Sequence, residues 1–403
     1  MMNVVQKYNG RCVDSIDKIK AIARHVAETR QEGDGLVIVA SAMGRTTDRL
    51  IKMAQEVSSD IPKRELDALL ATGEQQSVAL LAIALNDLGV PAVSLTGLQS
   101  GFITNDYHTH ARIKTLNTEN VEEIIKQGKV AVVAGFQGAS EDGDVTTLGR
   151  GGADITAVAI AAQLGWPCEV YSTTDGLYTV DPDIYPQAKK ISSITYEEMM
   201  ELANLGSDKL ETRSVELAKK YGVELFLGKA LERDKSKGTY IMNNDNLLVE
   251  EMPVTGMSIQ EDVTIFTMRN IKNDGRTVAE CFKILGELDI NVDMISQQSM
   301  GKDTCSVSFS CTRDQGRELK KRIDAAEIFK GVTVDCEEDL AMISLVGVGM
   351  ATHSGVASEV FNVLAANDIK YYQITTSEIS ISVTVDMEWK SKAAIALAEA
   401  FEL

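Results

Sequence analysis

The chain has 403 residues, 44% of them apolar, and a formal net charge of −19. That length predicts about two or three domains with real cores, and so acidic a balance argues against nucleic acid or an anionic membrane as the main partner. No charged-then-apolar leader opens it and no run reaches the length of a membrane span, so a cytoplasmic protein is expected.

Val4-Val5 begins a strand that runs into Lys7-Tyr8-Asn9-Gly10-Arg11-Cys12. Ser15 is placed to cap a helix over Ile16–Thr29, where apolar residues recur at helical spacing. The continuous apolar run 35–40 reads as a buried parallel strand. It ends in Ser41-Ala42-Met43-Gly44-Arg45-Thr46-Thr47. One long helical stretch, 66–88, contains Thr72-Gly73-Glu74. Strands follow at 92–95 and 130–134. Between Ala134 and Asp154 lie six glycines and one cation, Arg150. A helix over 155–164 leaves this stretch. Glycine lets backbone N–H groups approach a ligand, and a helix N-terminus favours negative charge, so an anion site is expected there. The plainer reading is a tight strand-to-helix turn. A strand at 168–172 leads to Thr173-Thr174-Asp175 and on to Tyr178 and Asp181-Pro182-Asp183. Helices at 196–203 and 214–221 flank Leu205-Gly206-Ser207-Asp208-Lys209-Leu210. Strands alternating with helices predict a mostly parallel sheet covered on both faces, with ligands at the C-terminal strand ends. All of the polar loops named here lie at such ends.

After about residue 245 the strands become alternating and the sequence repeats itself. Ala279-Glu280-Cys281-Phe282-Lys283-Ile284-Leu285 matches Ser358-Glu359-Val360-Phe361-Asn362-Val363-Leu364, and Asp289-Ile290 matches Asp368-Ile369. Each copy reads strand, helix, strand, strand. The copies hold no clustered ionisable residues, so a binding or regulatory role is expected of them. The six cysteines, Cys12, Cys168, Cys281, Cys305, Cys311 and Cys336, show neither CxxC nor zinc spacing and read as buried thiols.

Taken together, Ser41-Ala-Met-Gly44 with Thr46-Thr47, Thr72-Gly-Glu-Gln75, Ala134-Gly-Phe-Gln-Gly138, Thr147-Leu-Gly-Arg-Gly-Gly152 with Asp154, and Val215-Glu-Leu-Ala-Lys-Lys-Tyr221 resemble the aspartokinases. The resemblance spans essentially the whole chain. It implies an α/β amino-acid-kinase sandwich over 1–245, then two α+β ferredoxin-like ACT domains over 262–337 and 338–403. A strand from 253–261 would belong with the second. It also implies transfer of the γ-phosphate of ATP, with Mg2+, to the side-chain carboxylate of L-aspartate. A homodimer or higher homo-oligomer and an amino-acid effector at the ACT domains would accompany this activity.

Carried over residue by residue, Lys7 and Asp154 are the catalytic candidates. Arg150 would clamp the aspartate α-carboxylate, with Gly151 and Gly152 beside it. Glu74 would accept from its ammonium, and Ser41 and Thr47 would bind its other oxygens. Gly10, Ser172, Thr173, Tyr178, Asp183, Asp208 and Lys209 fall on the nucleotide side. That side departs from the family pattern. Lys7-Tyr8-Asn9-Gly10-Arg11-Cys12 stands for Lys-Phe-Gly-Gly-Thr-Ser, and Ser172-Thr173 for Thr-Asp. Asp183 and Asp208 stand where cations are usual; Arg11 and Lys209 are the nearby cations that would offset them. An ACT-regulated aspartate-binding homologue without catalysis is the alternative reading. The turns Asn273-Asp274-Gly275 and His353-Ser354-Gly355 also depart from the family's ACT pattern, which bears on the effector.

Overall fold

The computed structural model describes residues 3–243, 253–288, 290, 292, 294–300 and 303–403. Asp289 of the internal repeat and the expected boundary at 245 lie outside the described residues. Two compact units divide the rest. One holds 3–177, Lys190–Ala203 and 208–243. The other holds Tyr178–Lys189, Asn204–Ser207 and the residues from 253 onward.

The first unit runs β1 (Val4–Tyr8), α1 (Ile16–Thr29), β2 (Leu36–Ala40), α2 (Thr46–Val57), α3 (Lys63–Leu70), α4 (Thr72–Asp87), β3 (Ala92–Leu95), β4 (Phe102–Thr104), β5 (Ile113–Leu116), α5 (Glu119–Lys126) and β6 (Val130–Ala134). It continues with β7 (Gln137–Ala139), β8 (Val145–Thr147), α6 (Gly152–Leu164) and β9 (Cys168–Ser172). After the short strands β10 (Leu177–Tyr178) and β11 (Lys190–Ile191) come β12 (Ser193–Thr195), α7 (Tyr196–Asn204), α8 (Thr212–Tyr221), β13 (Leu225–Lys229) and β14 (Thr239–Met242), with Tyr178 and Asn204 at the ends of β10 and α7 counting with the second unit. The main sheet has the order β12-β14-β13-β9-β1-β2-β6-β3. Its pairings are parallel except β13 with β14. Tyr8, Ala40, Ala134 and Tyr171 are therefore level with one another at one edge. The loops after β1, β2, β6 and β9 all leave from it.

The period-two pleat decides what each strand offers. Val4 and Tyr8 face α1 and α4, in a core with Ile22, Val26, Val78, Leu81 and Leu85. Val5 and Lys7 face the other way, towards α6. From Gly152 to Ala161 every residue of α6 is buried, and its alanines and glycine let it sit close against the sheet.

The expected helical stretch 66–88 is helical, divided at Ala71 into α3 and α4. There Thr72 Oγ1 bonds back to the Leu69 carbonyl, and the Ala71 carbonyl turns to Gln137 Nε2. The glycine-rich stretch after β6 is not a simple loop. It holds the antiparallel pair β7 and β8, whose three-residue strands are too short to show periodicity. By length and composition alone, 63–87 passes as a membrane span, but half of its most apolar window is buried within the protein.

The second unit runs β15 (Gly256–Lys272), α9 (Arg276–Glu287), β16 (Ile295–Ser299), β17 (Thr304–Thr312), α10 (Arg313–Ala325), β18 (Thr333–Val346), α11 (Val356–Ala366), β19 (Ile374–Thr376), β20 (Ser380–Asp386) and α12 (Lys390–Ala400). Its antiparallel sheet has the order β16-β17-β15-β18-β20-β19. β15 and β18 are long because each serves two cores. Met257 packs with Ile343, Leu345, Val360 and Leu397, whereas Phe266, Met268 and Ile271 pack with Ile284, Phe309 and Leu319. Register shifts around Gln260 and Val263 mark the changeover. Val180 joins the first of these cores with Ile184 and Tyr185 against it, and Met257 N donates to the Thr179 carbonyl at 2.6 Å. Of the six cysteines, none in a disulfide, five are buried and Cys336 is half-buried.

Candidate functional site

The C-terminal edge of the main sheet gathers the polar groups of the first unit. Lys7, on β1, is 6% exposed, and its Nζ lies 2.6 Å from Asp154 Oδ1 in the first turn of α6. Each offsets the other's cost of burial, and the carboxylate also suits the helix N-terminus. The contact is a close ion pair without hydrogen-bond alignment at Oδ1.

The turn into α6 is built on close approaches. Gly149 and Gly151 have φ of 81° and 66°, a region costly for other residues. A Cβ on Gly151 would stand 2.3 Å from Glu211 Cβ, and one on Gly149 would stand 2.7 Å from His110 Nδ1. Arg150, held between them, is exposed. The Leu148 carbonyl accepts from Arg213 Nη1 at 2.8 Å.

Glu74 comes from the first turn of α4 and is 3% exposed. Its Oε1 accepts from Ala42 N at 3.0 Å; its Oε2 is buried with no hydrogen-bond partner among the described residues. Burial pushes the Glu74 carboxyl up to about 7, against the opposing pull of the Ala42 N–H. Gly73 permits the contact, since a Cβ there would meet Ala42 Cβ at 2.9 Å. Ser41 and Thr47 are half-buried in the same turn and the first turn of α2.

In the loop after β1, a Cβ on Gly10 would stand 2.7 Å from the Ala42 carbonyl, and Gly44 N donates to the Gly10 carbonyl at 3.0 Å. The loops after β1 and β2 are thus one packed unit. Arg11 is exposed. Ser172 Oγ is engaged with Thr174, accepting from its N–H at 3.1 Å, while Thr173 is exposed. Asp208 is exposed and pairs with the adjacent Lys209 at 3.3 Å. Tyr178 and Asp183 belong to the second unit; the Asp183 N–H donates to Asp181 Oδ1 at 3.0 Å.

Three groups went unassigned in the sequence. Glu211 lies against Gly151; desolvation first, then the Asp154 charge, raises its pKa. Arg213 sits in the first turn of α8, where a cation opposes the helix dipole; that misfit is the signal that it serves elsewhere. Asp67, on α3, is fully buried and accepts from His108, Thr109 and Thr147.

Residues 2–229 match the amino acid kinase family, and residues 343–401 match the ACT domain. Fold and site thus define a nucleotide-using kinase of that family with an ACT region. The aspartokinases of Geobacillus stearothermophilus and Bacillus sp. (strain MGA3) are 41% and 40% identical to this chain, covering 99% of it and 97% of each relative. The structure of E. coli aspartokinase III in complex with aspartate and ADP (R-state) shares the fold. It matches with a TM-score of 0.79 at 22% identity, over 99% of this chain and 100% of that one. The chain belongs to the aspartokinase family.

Proposed function

We infer that the chain is an aspartate kinase that transfers the γ-phosphate of ATP to the side-chain carboxylate of L-aspartate, giving aspartyl 4-phosphate. The observation that carries this reading is Glu74, a buried carboxylate with one oxygen lacking a protein partner. It stands at the same sheet edge as the Lys7–Asp154 pair. An ammonium group completes the Glu74 site, and an α-amino acid supplies one.

The chemistry asks little of the protein. A side-chain carboxylate with a pKa of about 4 is already a nucleophile at neutral pH, so no general base is needed. Positioning and charge compensation are needed instead. Arg150 grips the substrate α-carboxylate in a two-pronged clamp, with Gly151 and Gly152 leaving room beside it. Glu74 Oε2 accepts from the ammonium, and the Ser41 and Thr47 hydroxyls donate to remaining oxygens. These contacts direct the side-chain carboxylate towards Lys7. Asp154 holds the Lys7 ammonium in place by charge, leaving its N–H groups for oxygens of the transferring phosphoryl group. Gly10 keeps the backbone close to the phosphates. Among the described residues no three His, Cys, Asp or Glu side chains converge on a metal site. Magnesium would arrive with the nucleotide, where it offsets phosphate charge. Asp208 opposes phosphate, yet its own neighbour Lys209 offsets it.

The ACT region would bind an amino-acid effector and pair two chains in a cytoplasmic homodimer. Its edge strand β16 is exposed throughout, with Ile295 58% exposed. The test is hydroxylamine trapping with the full chain, aspartate and Mg-ATP. The expected product is aspartyl hydroxamate, formed only with all components present. No hydroxamate at high enzyme concentration overturns the reading.

A further inference from the structure

Asp67 lies outside the glycine loop and the helix start that carry the proposed chemistry, and its side chain ties the end of β8 to the 105–110 loop beside them. Its side chain is fully buried. Oδ1 accepts from Thr147 Oγ1 at 2.6 Å and from Thr109 N at 3.1 Å. Oδ2 accepts from Thr147 N and Thr109 N, each at 3.0 Å, and lies 2.9 Å from His108 Nδ1. A buried carboxylate this fully satisfied is costly to disturb, because each lost partner leaves a desolvated group behind.

The donors sit on two segments that brace the Arg150 turn. Thr147 ends β8 and is followed by Leu148-Gly149-Arg150. The 105–110 loop lies against Gly149, at the positions of His110 Nδ1 and the Thr109 carbonyl. Thr109 has φ of 73°, a strained conformation for a β-branched residue that its bonds to Asp67 hold in place. Ala111 N closes the brace on the Thr147 carbonyl at 2.8 Å. Towards Glu74 the link runs through the helix itself: the Asp67 main-chain carbonyl accepts from Ala71 N at 3.0 Å, the backbone bond that closes the last turn of α3. The Ala71 carbonyl accepts from Gln137 Nε2 at 2.9 Å, and α4, with Glu74, begins at the next residue.

We propose that Asp67 is a positioning residue that fixes the separation between Glu74 and Arg150, and so sets how the site grips an α-amino acid. This rests on the reading of those two groups as the ammonium and α-carboxylate partners. Asp67 touches no substrate. Its effect is on the recognition of aspartate, not of nucleotide.

The test compares Asp67→Asn with the wild-type full chain in steady-state kinetics, with aspartate binding read separately by calorimetric titration. The amide keeps the volume but turns an acceptor into a donor facing backbone N–H groups. The KM and Kd for aspartate should rise about tenfold to a hundredfold. The KM for ATP should stay within about twofold, and kcat at saturating aspartate within about threefold. A merely structural role predicts the opposite split: less active enzyme, a lower kcat, and an unchanged KM for aspartate. That result overturns the proposal. If Asp67→Asn does not fold, His108→Ala removes one donor at the edge of the network. It should raise the KM for aspartate about threefold to tenfold; an unchanged value overturns the proposal as well. A wild-type chain that binds aspartate but yields no hydroxamate would sink the kinase reading alone, since the Kd comparison still decides the role of Asp67.

Discussion

Glu74 makes the proposed amino-acid site testable by pH alone. Burial holds its carboxyl at about 7 in the free protein, against a reference of 4.5. The bound ammonium needs the ionised form and pulls the pKa down in the complex. Aspartate therefore binds with loss of a proton wherever Glu74 starts out protonated. From a pKa of about 7, Glu74 is about nine-tenths ionised at pH 8 and about one-tenth ionised at pH 6. The KM for aspartate should then rise about tenfold from pH 8 to pH 6. The substrate side chain titrates near about pH 4 and contributes nothing in that window. Glu74→Gln should raise the KM at pH 8 by about tenfold to a hundredfold and flatten its pH dependence. The assay is initial-rate kinetics with aspartate varied at saturating Mg-ATP, repeated at half-unit steps from pH 6 to pH 8. A flat wild-type profile, or one as steep in Glu74→Gln, refutes the placement of the ammonium at Oε2. The same raised pKa also shapes stability without substrate. Glu74 favours the fold fully below about pH 4.5, and that contribution is lost as the pH rises through about 7. Thermal melts of wild type and Glu74→Gln should therefore draw apart between about pH 4.5 and about pH 7 and keep a constant gap above neutrality, with the variant the more stable there.

Arg150→Lys keeps the charge but loses the planar fork; the KM for aspartate should rise about tenfold or more with the KM for ATP unchanged, and equal rises in both would contradict the clamp. Asp208→Lys should lower the KM for ATP about twofold to fivefold at low ionic strength, an advantage that fades by about 0.5 M salt; no change at low salt would mean Asp208 does not face the phosphates. Gly151→Ala places a Cβ 2.3 Å from Glu211 Cβ at a left-handed φ of 66°. It should lower stability by about 1–3 kcal/mol, read as denaturant midpoint, and lower kcat/KM as well.

The buried strands of the main sheet were legible because a parallel sheet covered on both faces demands continuous apolar runs. The 35–40 and 130–134 runs are two such strands, and the loops that leave them hold Ser41, Gly135 and Arg150. The β7–β8 pair was hidden by its length and its glycines. Asp67 was hidden for a different reason. On a helix that reads Lys63-Arg-Glu-Leu-Asp67 it looks like one more solvated charge, and its partners lie in segments distant along the chain. Only the fold brings them to one carboxylate. Tyr178 and Asp183 show a related limit. Sequence order puts them among the kinase loops, whereas Val180, Ile184 and Tyr185 bury their segment in a core of the second unit. The side-chain neighbours of Asp208, by contrast, could be read directly, because the cation that offsets it is the next residue.

The central claim is that Glu74 and Arg150 hold the amino-acid end of aspartate, so that only the side-chain carboxylate meets the phosphoryl group. The most direct measurement is to trap the acyl phosphate by borohydride reduction during turnover and identify the amino alcohol. Transfer to the side-chain carboxylate yields homoserine, which is the predicted product. Its isomer, 3-amino-4-hydroxybutanoate, would mean that the α-carboxylate is phosphorylated and that the site holds its substrate the other way round.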